Sequence, residues 1–296
     1  MNTIPAKTII TRKKDDSWFG TDYNMNIYKG CCHGCIYCDS RSDCYQIDDF
    51  DTVRSKEHAI EIIREELRKK AKTGVIGTGS MSDPYNPFEK HYEYTRQALG
   101  LLDRNHFGVS IATKSDLIVR DIDILTRIKE HSPVICKITV TSCNDDISQK
   151  IEPAVCVSSK RLAAVKKLTD AGIFTGILMM PILPLITDDP HNILEIISFA
   201  KESGARFIYP FFGLSLRNGQ REYYYQKLDQ LFPDQKLKQF YSNTYGLSYQ
   251  CNSLRAKELW ELFTKECDRH GILYKMKDII HAYKSPYDYE QITFPF

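Results

Sequence analysis

Short apolar runs alternate with amphipathic helical patterns through residues 24–210 of the 296-residue chain. The runs are rich in Ile, Val and Phe, which is typical of strands buried in a parallel sheet. They predict six strands, at residues 25–28, 74–78, 107–113, 134–141, 174–180 and 207–210. Because strands that alternate with helices form a parallel sheet with right-handed crossovers, this pattern predicts an α/β fold.

Several residues mark the ends of the predicted helices. Ser55 and Ser158 can each cap a helix with its hydroxyl oxygen, and Asp189 precedes a proline in the order expected of a cap and first turn. Gly172 and Gly204 stand where two of these helices should stop.

Six β/α units are too few for a closed eight-stranded barrel. We therefore predict a partial (β/α)6 TIM-type barrel with a C-terminal helical cap. The cap is indicated by helical patterns near residues 221–231, 235–245 and 253–270, where the alternation has ended. The predicted organisation is an N-terminal extension at 1–20, the barrel at 21–212 and the cap at 213–296.

The composition is that of an ordinary globular protein, with 42% apolar and 26% charged residues. A net charge of +2 gives no global argument for nucleic-acid binding, although a local basic groove would not show in the sum. No apolar stretch approaches the ~20 residues of a membrane span, so no membrane partner is expected. The first residues lack the apolar core of a signal peptide, which favours a cytoplasmic location.

Three of the ten cysteines, Cys31, Cys35 and Cys38, form a C-x3-C-x2-C pattern directly after the first predicted strand. Gly30 and Gly34 give this loop the freedom to wrap around a bulky group. Thiolates are the usual ligands of iron–sulfur clusters, and three of them leave one iron of a four-iron cluster free. In α/β barrels, catalytic groups lie in the loops after the strands, where this loop lies.

Other readings of the cysteines stay open. Cys32, His33 and Cys35 have a spacing that suits zinc, although no second distant pair is obvious. Cys44 could be a fourth ligand of a closed cluster, or Cys32 and Cys44 could take no part.

Further motifs occur at the ends of the later strands. In chain order they are Asn26-x-Tyr28-x-Gly30-Cys31, His33-Gly34-Cys35, Ser82-Asp-Pro-Tyr-Asn-Pro-x-Glu89, Thr95-Arg96, Thr113-Lys-Ser115, Arg120-Asp121, Glu152-Pro153, Arg161 and Pro181-x-x-Pro184. With the cysteine pattern, they make the chain resemble the radical S-adenosylmethionine (SAM) superfamily. From about residue 18 onwards it resembles the spore photoproduct lyase-like group, often labelled DNA repair photolyase.

The resemblance implies a 4Fe-4S cluster on Cys31, Cys35 and Cys38, with SAM bound at its open iron. It also implies further contacts with SAM. Tyr37 would lie beside the adenine, and the turn with Gly77, Gly79 and Ser80 would meet the amino group. Lys114 would pair with the carboxylate, and Ser142 and Asn144 would bind the ribose. Each residue also has a plain structural reading as a packing, turn, solvated or capping residue. Arg161 either reaches the SAM carboxylate or pairs with Glu152.

The resemblance also implies reductive cleavage of SAM to a 5′-deoxyadenosyl radical, which takes a hydrogen atom from an unidentified substrate. A one-electron donor of the flavodoxin or ferredoxin type would be a partner. The substrate is a nucleic-acid lesion, or instead a peptide or small metabolite; a non-enzymatic cluster or zinc protein is the remaining alternative.

The chain departs from the true lyases in one respect. Those lyases carry a hydrogen-donating cysteine in the loop after the second strand, and residues 77–85 contain none. A distant cysteine such as Cys143 or Cys251 could take its place, but no feature of the sequence indicates that either does. An aromatic and arginine cluster could instead contact nucleic acid, although such stripes are more often core; it comprises Tyr209, Arg217, Arg221 and residues 223–225.

Overall fold

A computed structural model describes residues 1–287 of the chain, which form twelve strands and eleven α-helices. The strands are β1 (Asn2–Ile4), β2 (Ile10–Arg12), β3 (Tyr23–Met25), β4 (Tyr28–Lys29), β5 (Arg54–Lys56), β6 (Val75–Thr78), β7 (Gly108–Thr113), β8 (Val134–Thr139), β9 (Phe174–Met179), β10 (Phe207–Pro210), β11 (Gly213–Ser215) and β12 (Gln250–Asn252). The helices are α1 (Ala59–Lys69), α2 (Glu89–Tyr92), α3 (Tyr94–Arg104), α4 (Ile122–Lys129), α5 (Asp145–Ile151), α6 (Ser158–Asp170), α7 (Pro190–Glu202), α8 (Gln220–Leu231), α9 (Leu237–Tyr245), α10 (Ala256–His270) and α11 (Met276–Lys284).

The main sheet has seven strands in the order β10-β9-β8-β7-β6-β3-β2. Six of them, β3 and β6 to β10, run parallel, and β2 is antiparallel to β3. This confirms the predicted partial (β/α)6 barrel. Buried side chains such as Ile63, Leu99 and Val165 pack the helices against the outer face of the sheet, while the inner face borders the space that we call the lumen.

The prediction for the first strand was wrong. Residues 25–28 do not form one strand: β3 ends at Met25, and β4 begins at Tyr28 in a separate three-stranded sheet with β1 and β5. Tyr28 pairs with Ser55 of β5, and its hydroxyl donates a hydrogen bond to the buried carboxylate of Glu89. These two partners draw the chain out of the barrel before the cysteine loop, residues 30–38.

The helix boundaries were predicted in part. Asp189 caps α7 by accepting a hydrogen bond from the His191 amide at 3.2 Å. Gly172 and Gly204, with φ of 69° and 70°, follow the ends of α6 and α7 as expected. Ser55 and Ser158 are not caps, because Ser55 lies inside β5 and Ser158 is already the first residue of α6.

The chain after residue 212 packs in three separate regions of the molecule. Strands β11 and β12 pair, and α8 and α9 pack beside the cysteine loop in one apolar cluster that includes Tyr37, Leu214 and Tyr224. Helix α10 packs on α7 outside the barrel. Helix α11 lies elsewhere, with Ile279 and Tyr283 in an apolar cluster inside the barrel. Residues 288–296 of the predicted cap lie outside the described residues.

That second cluster, which we call the lumen floor, closes one end of the barrel. Its buried members are Phe19, Val75, Ile135, Leu178, Phe207, Ile279 and Tyr283. The Tyr283 hydroxyl donates to the Phe19 carbonyl at 2.6 Å. Trp18 and Phe19 precede β3 yet pack on Tyr209 and Phe207 of β10, with ring centroids 5.3 and 5.7 Å apart. The two edges of the open barrel are thereby bridged.

Residues 1–20, predicted to be an extension, contribute β1 and β2 to the two sheets. Among the helices of residues 1–287, none is long and apolar enough to cross a membrane.

Candidate active site

A cavity of about 750 Å³ lies at the carboxyl ends of the parallel strands. One wall is the cysteine loop, with Cys31, Cys35 and Cys38. The opposite walls are strand ends: residues 77–83 at the end of β6 and just after it, residues 112–114 at the end of β7 and just after it, and residues 180–181 after β9. Its mouth is lined by two residues that follow the cysteine loop, Asp39 and Tyr45, and by four residues in or beside β11 and β12, namely Ser215, Arg217, Tyr249 and Gln250.

The backbone of the cysteine loop is anchored at its first turn. The Cys31 amide donates to the Phe50 carbonyl at 2.8 Å, and the Ser82 hydroxyl donates to the Gly30 carbonyl at 2.6 Å. Gly30 has a φ of 79°, and a Cβ there would lie 2.3 Å from the Thr52 carbonyl oxygen. Only glycine fits this combination of left-handed backbone and close approach.

The loop also docks on the end of α5. The Ile36 amide donates to the Ile151 carbonyl at 3.0 Å, and the Tyr37 hydroxyl donates to the Glu152 carboxylate. Glu152 forms a fully buried ion pair with Arg161. Arg161 also donates to the Thr139 carbonyl at 2.9 Å, at the end of β8. The network therefore ties Tyr37 and the loop to the barrel.

The network keeps its charges despite burial. Burial alone would raise the pKa of Glu152, but Arg161 and Lys114 lower it below its ordinary value. Burial opposes the charge of Arg161, yet Glu152 raises its pKa. Burial, reinforced by Glu152, raises the pKa of Tyr37 well above its ordinary range. Tyr37 is therefore a neutral donor to a charged carboxylate.

Lys114 stands beside the thiols, next to a carboxylate that has other partners. Asp83 accepts from the Thr113 hydroxyl at 2.6 Å and from the Lys114 amide at 2.8 Å, and it lies 3.6 Å from His33 Nδ1. Burial works against the charge of the Lys114 ammonium, but Cys35 and Glu152 raise its pKa. Asp83 thus holds the backbone while the Lys114 side chain faces the cavity.

Most of the predicted site residues border this one cavity. They are Cys31, Cys35, Cys38, Tyr37, Gly77, Gly79, Ser80 and Lys114. Ser142, Asn144 and Arg161 are not among its lining residues. Ser142 accepts from the Asn144 amide at 3.1 Å, and the Asn144 side chain caps α5 by accepting from the Ile147 amide at 3.0 Å.

Of the two alternatives for Arg161, the structure has the pairing with Glu152. Its guanidinium is fully buried and is shared among Glu152, Ser148, Thr139 and Cys156. A predicted contact from Arg161, Ser142 or Asn144 to SAM therefore has no support from their positions.

One cavity residue, Lys137, was not among the site residues predicted from the sequence. Lys137 lies in β8, is 3% exposed and lines the cavity. A signal was available, since this lysine interrupts the apolar strand sequence Val-Ile-Cys-Lys-Ile. Lys and Arg are rarely buried without a partner.

The other cysteines of the region face elsewhere. Cys32 packs against the main core, and Cys44 is exposed. In residues 1–287, no three Cys, His, Asp or Glu side chains are grouped so that they could hold a single metal ion. All ten cysteines, which fall within that part of the chain, are free thiols.

Comparison with known proteins identifies the family. Residues 25–199, more than half of the chain, match the radical SAM superfamily. The chain belongs to the radical SAM superfamily. The cofactors that this membership implies are a 4Fe-4S cluster and SAM.

The relatives in sequence are uncharacterized. A protein of Methanocaldococcus jannaschii is 31% identical over 218 residues, which cover 73% of this chain and 78% of the relative. A protein of Mycobacterium tuberculosis is 27% identical over 219 residues, or 72% of this chain. The match spans 64% of that mycobacterial relative's length.

Among solved structures, a spore photoproduct lyase variant with bound AdoMet and dinucleoside spore photoproduct has a TM-score of 0.64. It is 14% identical, and the match covers 90% of this chain and 79% of the lyase. This likeness shows a shared fold, which agrees with the partial barrel described above.

The residues present fit the expected cluster. Three thiols border one cavity, and thiolates are the ligands that such clusters take. Cys31, Cys35 and Cys38 are therefore the residues that would hold it.

Proposed function

We propose that this enzyme removes a hydrogen atom from a small substrate, or from a small group of a larger one, that enters the barrel lumen. The observation that carries the proposal is the single cavity that joins the three thiols to the lumen. A cavity of about 750 Å³ has the size of a small-molecule site. Its charged rim residues, Asp39 and Arg217, lie 3.3 Å apart as a pair, so the mouth is not a basic groove.

When bound, the cluster and SAM supply a 5′-deoxyadenosyl radical. The chain contributes position and enclosure. The Glu152–Arg161 network fixes Tyr37 beside the thiols, and the Lys114 ammonium faces the cavity as a partner for the SAM carboxylate. The lumen floor and the α8–α9 unit shield the cavity from water, which protects a reactive intermediate from side reactions.

The test is release of 5′-deoxyadenosine by anaerobically reconstituted protein with dithionite and SAM. We expect wild-type protein to release it and Cys35→Ala to abolish release. Cys32→Ala is the matched control from the same loop, and we expect it to remain active because Cys32 lies outside the cavity wall. A fully loaded wild-type protein that never cleaves SAM would contradict the proposal.

A nucleic-acid lesion is the second candidate substrate. It is supported by the fold shared with a lyase that binds a dinucleoside photoproduct, and by arginine–aromatic stacking at the mouth. Arg217 lies 4.7 Å from the Tyr249 ring centroid; bases can stack on such groups. One observation counts against this candidate: residues 77–85 lack the hydrogen-donating cysteine of the true lyases.

Incubation with dinucleoside spore photoproduct tests this candidate. Restored thymine would establish lyase activity. Unchanged photoproduct, in a preparation that releases 5′-deoxyadenosine and beside an active lyase, would reject it.

The proposal extends to the partner and the compartment. We infer a flavodoxin- or ferredoxin-type electron donor, since the cluster takes up one electron per SAM cleaved. Ten free thiols favour the reducing cytoplasm.

A further inference from the structure

Lys137 lies deep in the lumen, and part of its hydrogen-bonding capacity is unused within the described residues. Its Nζ donates to the Ser110 hydroxyl at 2.6 Å and lies 4.6 Å from the ring centroid of Phe19 in the lumen floor. An ammonium has three N–H donors. Within the described residues no carboxylate pairs with Lys137, so two donors are left for whatever occupies the cavity.

The surroundings of Lys137 are positive. Lys13 donates to the Thr21 hydroxyl at 2.8 Å, and Thr21 lines the cavity. The pKa of Lys137 is lowered to about 7, mainly by burial and in smaller part by Lys13, while Cys136 acts in the opposite direction. The lysine is thus held in a place that disfavours its own charge.

The carboxylates of the cavity wall are engaged with other groups. Asp83 accepts from Thr113 and from the Lys114 amide. Asp39 accepts from the Tyr45 hydroxyl at 2.9 Å and pairs with Arg217 at the mouth. Neither one is paired with Lys137, so the described wall contains no anion for it.

The lysine proposed above as the partner of the SAM carboxylate is Lys114, not Lys137. Lys114 interacts electrostatically with Cys35 and Cys38 of the cluster loop. The groups that act electrostatically on Lys137 are instead Cys136 and Lys13. The cavity therefore has two cationic positions, one beside the cluster ligands and one deep in the lumen.

We propose that Lys137 binds an anionic group of the substrate, a carboxylate or a phosphate. The inference rests on the proposed function, since it names the chemical class of the group that enters the lumen. A buried charge without a counter-ion is costly, and an anion with charge-assisted hydrogen bonds removes that cost. A substrate held there would be oriented by its anion, with the rest of the molecule directed towards the cysteine wall.

The test uses wild-type holoenzyme, reconstituted anaerobically and saturated with SAM. Isothermal titration calorimetry measures the binding of benzoate, of its neutral match benzamide, and of inorganic phosphate at millimolar concentration. Trp18 and Leu178 offer apolar surface to the benzene ring. We expect benzoate to bind at least about tenfold more tightly than benzamide, a ratio within reach of one buried charge-assisted bond. The tighter of benzoate and phosphate identifies the anion that the lumen takes.

Two variants assign the effect to Lys137. Lys137→Met and Lys137→Gln should both lose the preference for benzoate, and the second keeps the design usable if the first does not fold. Lys201→Met, which changes an exposed lysine on α7, should retain the preference.

The inference is overturned if wild-type protein binds benzoate and benzamide equally, if it binds neither anion, or if the preference survives in the Lys137 variants. Release of 5′-deoxyadenosine by the same wild-type preparation reports separately on the proposed function. A positive result there with no anion preference would sink this inference alone.

Discussion

At the scale of single residues, two kinds of buried charge meet around the cavity. Glu152 and Arg161 form an ion pair with further hydrogen bonds, whereas the neighbours of the Lys137 ammonium are the Ser110 hydroxyl and the Phe19 ring. The first kind holds a structure together. The second kind costs stability until a ligand completes it, which is typical of a binding site.

Glu152→Gln should destabilise the protein strongly, because it leaves the Arg161 charge buried without a counter-ion. Removing one partner of a buried pair costs about 3–5 kcal/mol. Asp170→Asn breaks the exposed pair of Lys166 and Asp170, and should cost about 0.5 kcal/mol or less. Anaerobic thermal unfolding of both variants compares the costs, and similar Tm values for the two would refute this account of the network.

Lys137→Met should change how stability depends on pH. The pKa of Lys137 is about 7 in the folded protein and about 10.4 in an unfolded chain. The unfolded state therefore binds more protons between these values, and this lysine makes wild-type stability rise as the pH rises through that window.

Lys137→Met lacks this pH-dependent contribution to stability. Its Tm relative to wild type should be higher at pH 7 than at pH 10 in anaerobic calorimetry, since Lys13 and Cys136 are present in both proteins. A Tm difference that is constant across the window would contradict a lowered pKa for Lys137.

The positions of individual site residues could be predicted where a motif fixed their place after a strand. Cys31, Cys35, Cys38 and Lys114 all border the cavity as expected. Asn144 does not, because an asparagine before a helix is equally suited to cap it. Sequence spacing cannot tell which way a side chain turns at a strand end.

At the scale of elements, the cysteine loop depends on its glycine turn. Gly30→Ala forces a left-handed backbone on alanine, at about 1–2 kcal/mol, and places its Cβ against the Thr52 carbonyl. We expect lower iron content per protein after reconstitution. Gly100→Ala in α3 is the matched control, because a Cβ there meets nothing within 4 Å. Equal iron content in the two variants would show that the turn is not required.

Helix α8 contacts the loop through Gln220. Its side-chain amide donates to the Tyr37 carbonyl at 3.0 Å and to the Ser215 carbonyl at 2.9 Å. Gln220→Leu leaves both carbonyls without this donor, at about 1–3 kcal/mol each when buried. We expect faster bleaching of the cluster absorption in air than for Gln226→Leu, an exposed change on the same helix. Identical bleaching rates would argue against a shielding role for α8.

Five of the six barrel strands were predicted nearly to their ends, since each is a continuous apolar run between helices. The first was not, because β3 and β4 are three and two residues long and carry too little pattern to separate. The edge strands β1 and β2 and the paired strands β11 and β12 were missed for the same reason. Their pairing comes from tertiary contacts.

At the scale of the whole molecule, the barrel is closed from two directions by parts of the chain that are far apart in sequence. Helices α8 and α9 adjoin the cysteine loop, while Phe19 and α11 form the lumen floor. The sequence indicated helices after residue 210 but not this division, because an amphipathic pattern shows that a face is buried and not what covers it.

The central claim is that Cys31, Cys35 and Cys38 hold a 4Fe-4S cluster with one iron open to SAM in this cavity. The most direct measurement is the EPR spectrum of the dithionite-reduced protein before and after addition of SAM. The account predicts about four irons per chain and a spectrum that SAM changes, because SAM bound at the open iron would alter the surroundings of the cluster. A loaded, reduced cluster whose spectrum is identical with and without SAM would contradict it.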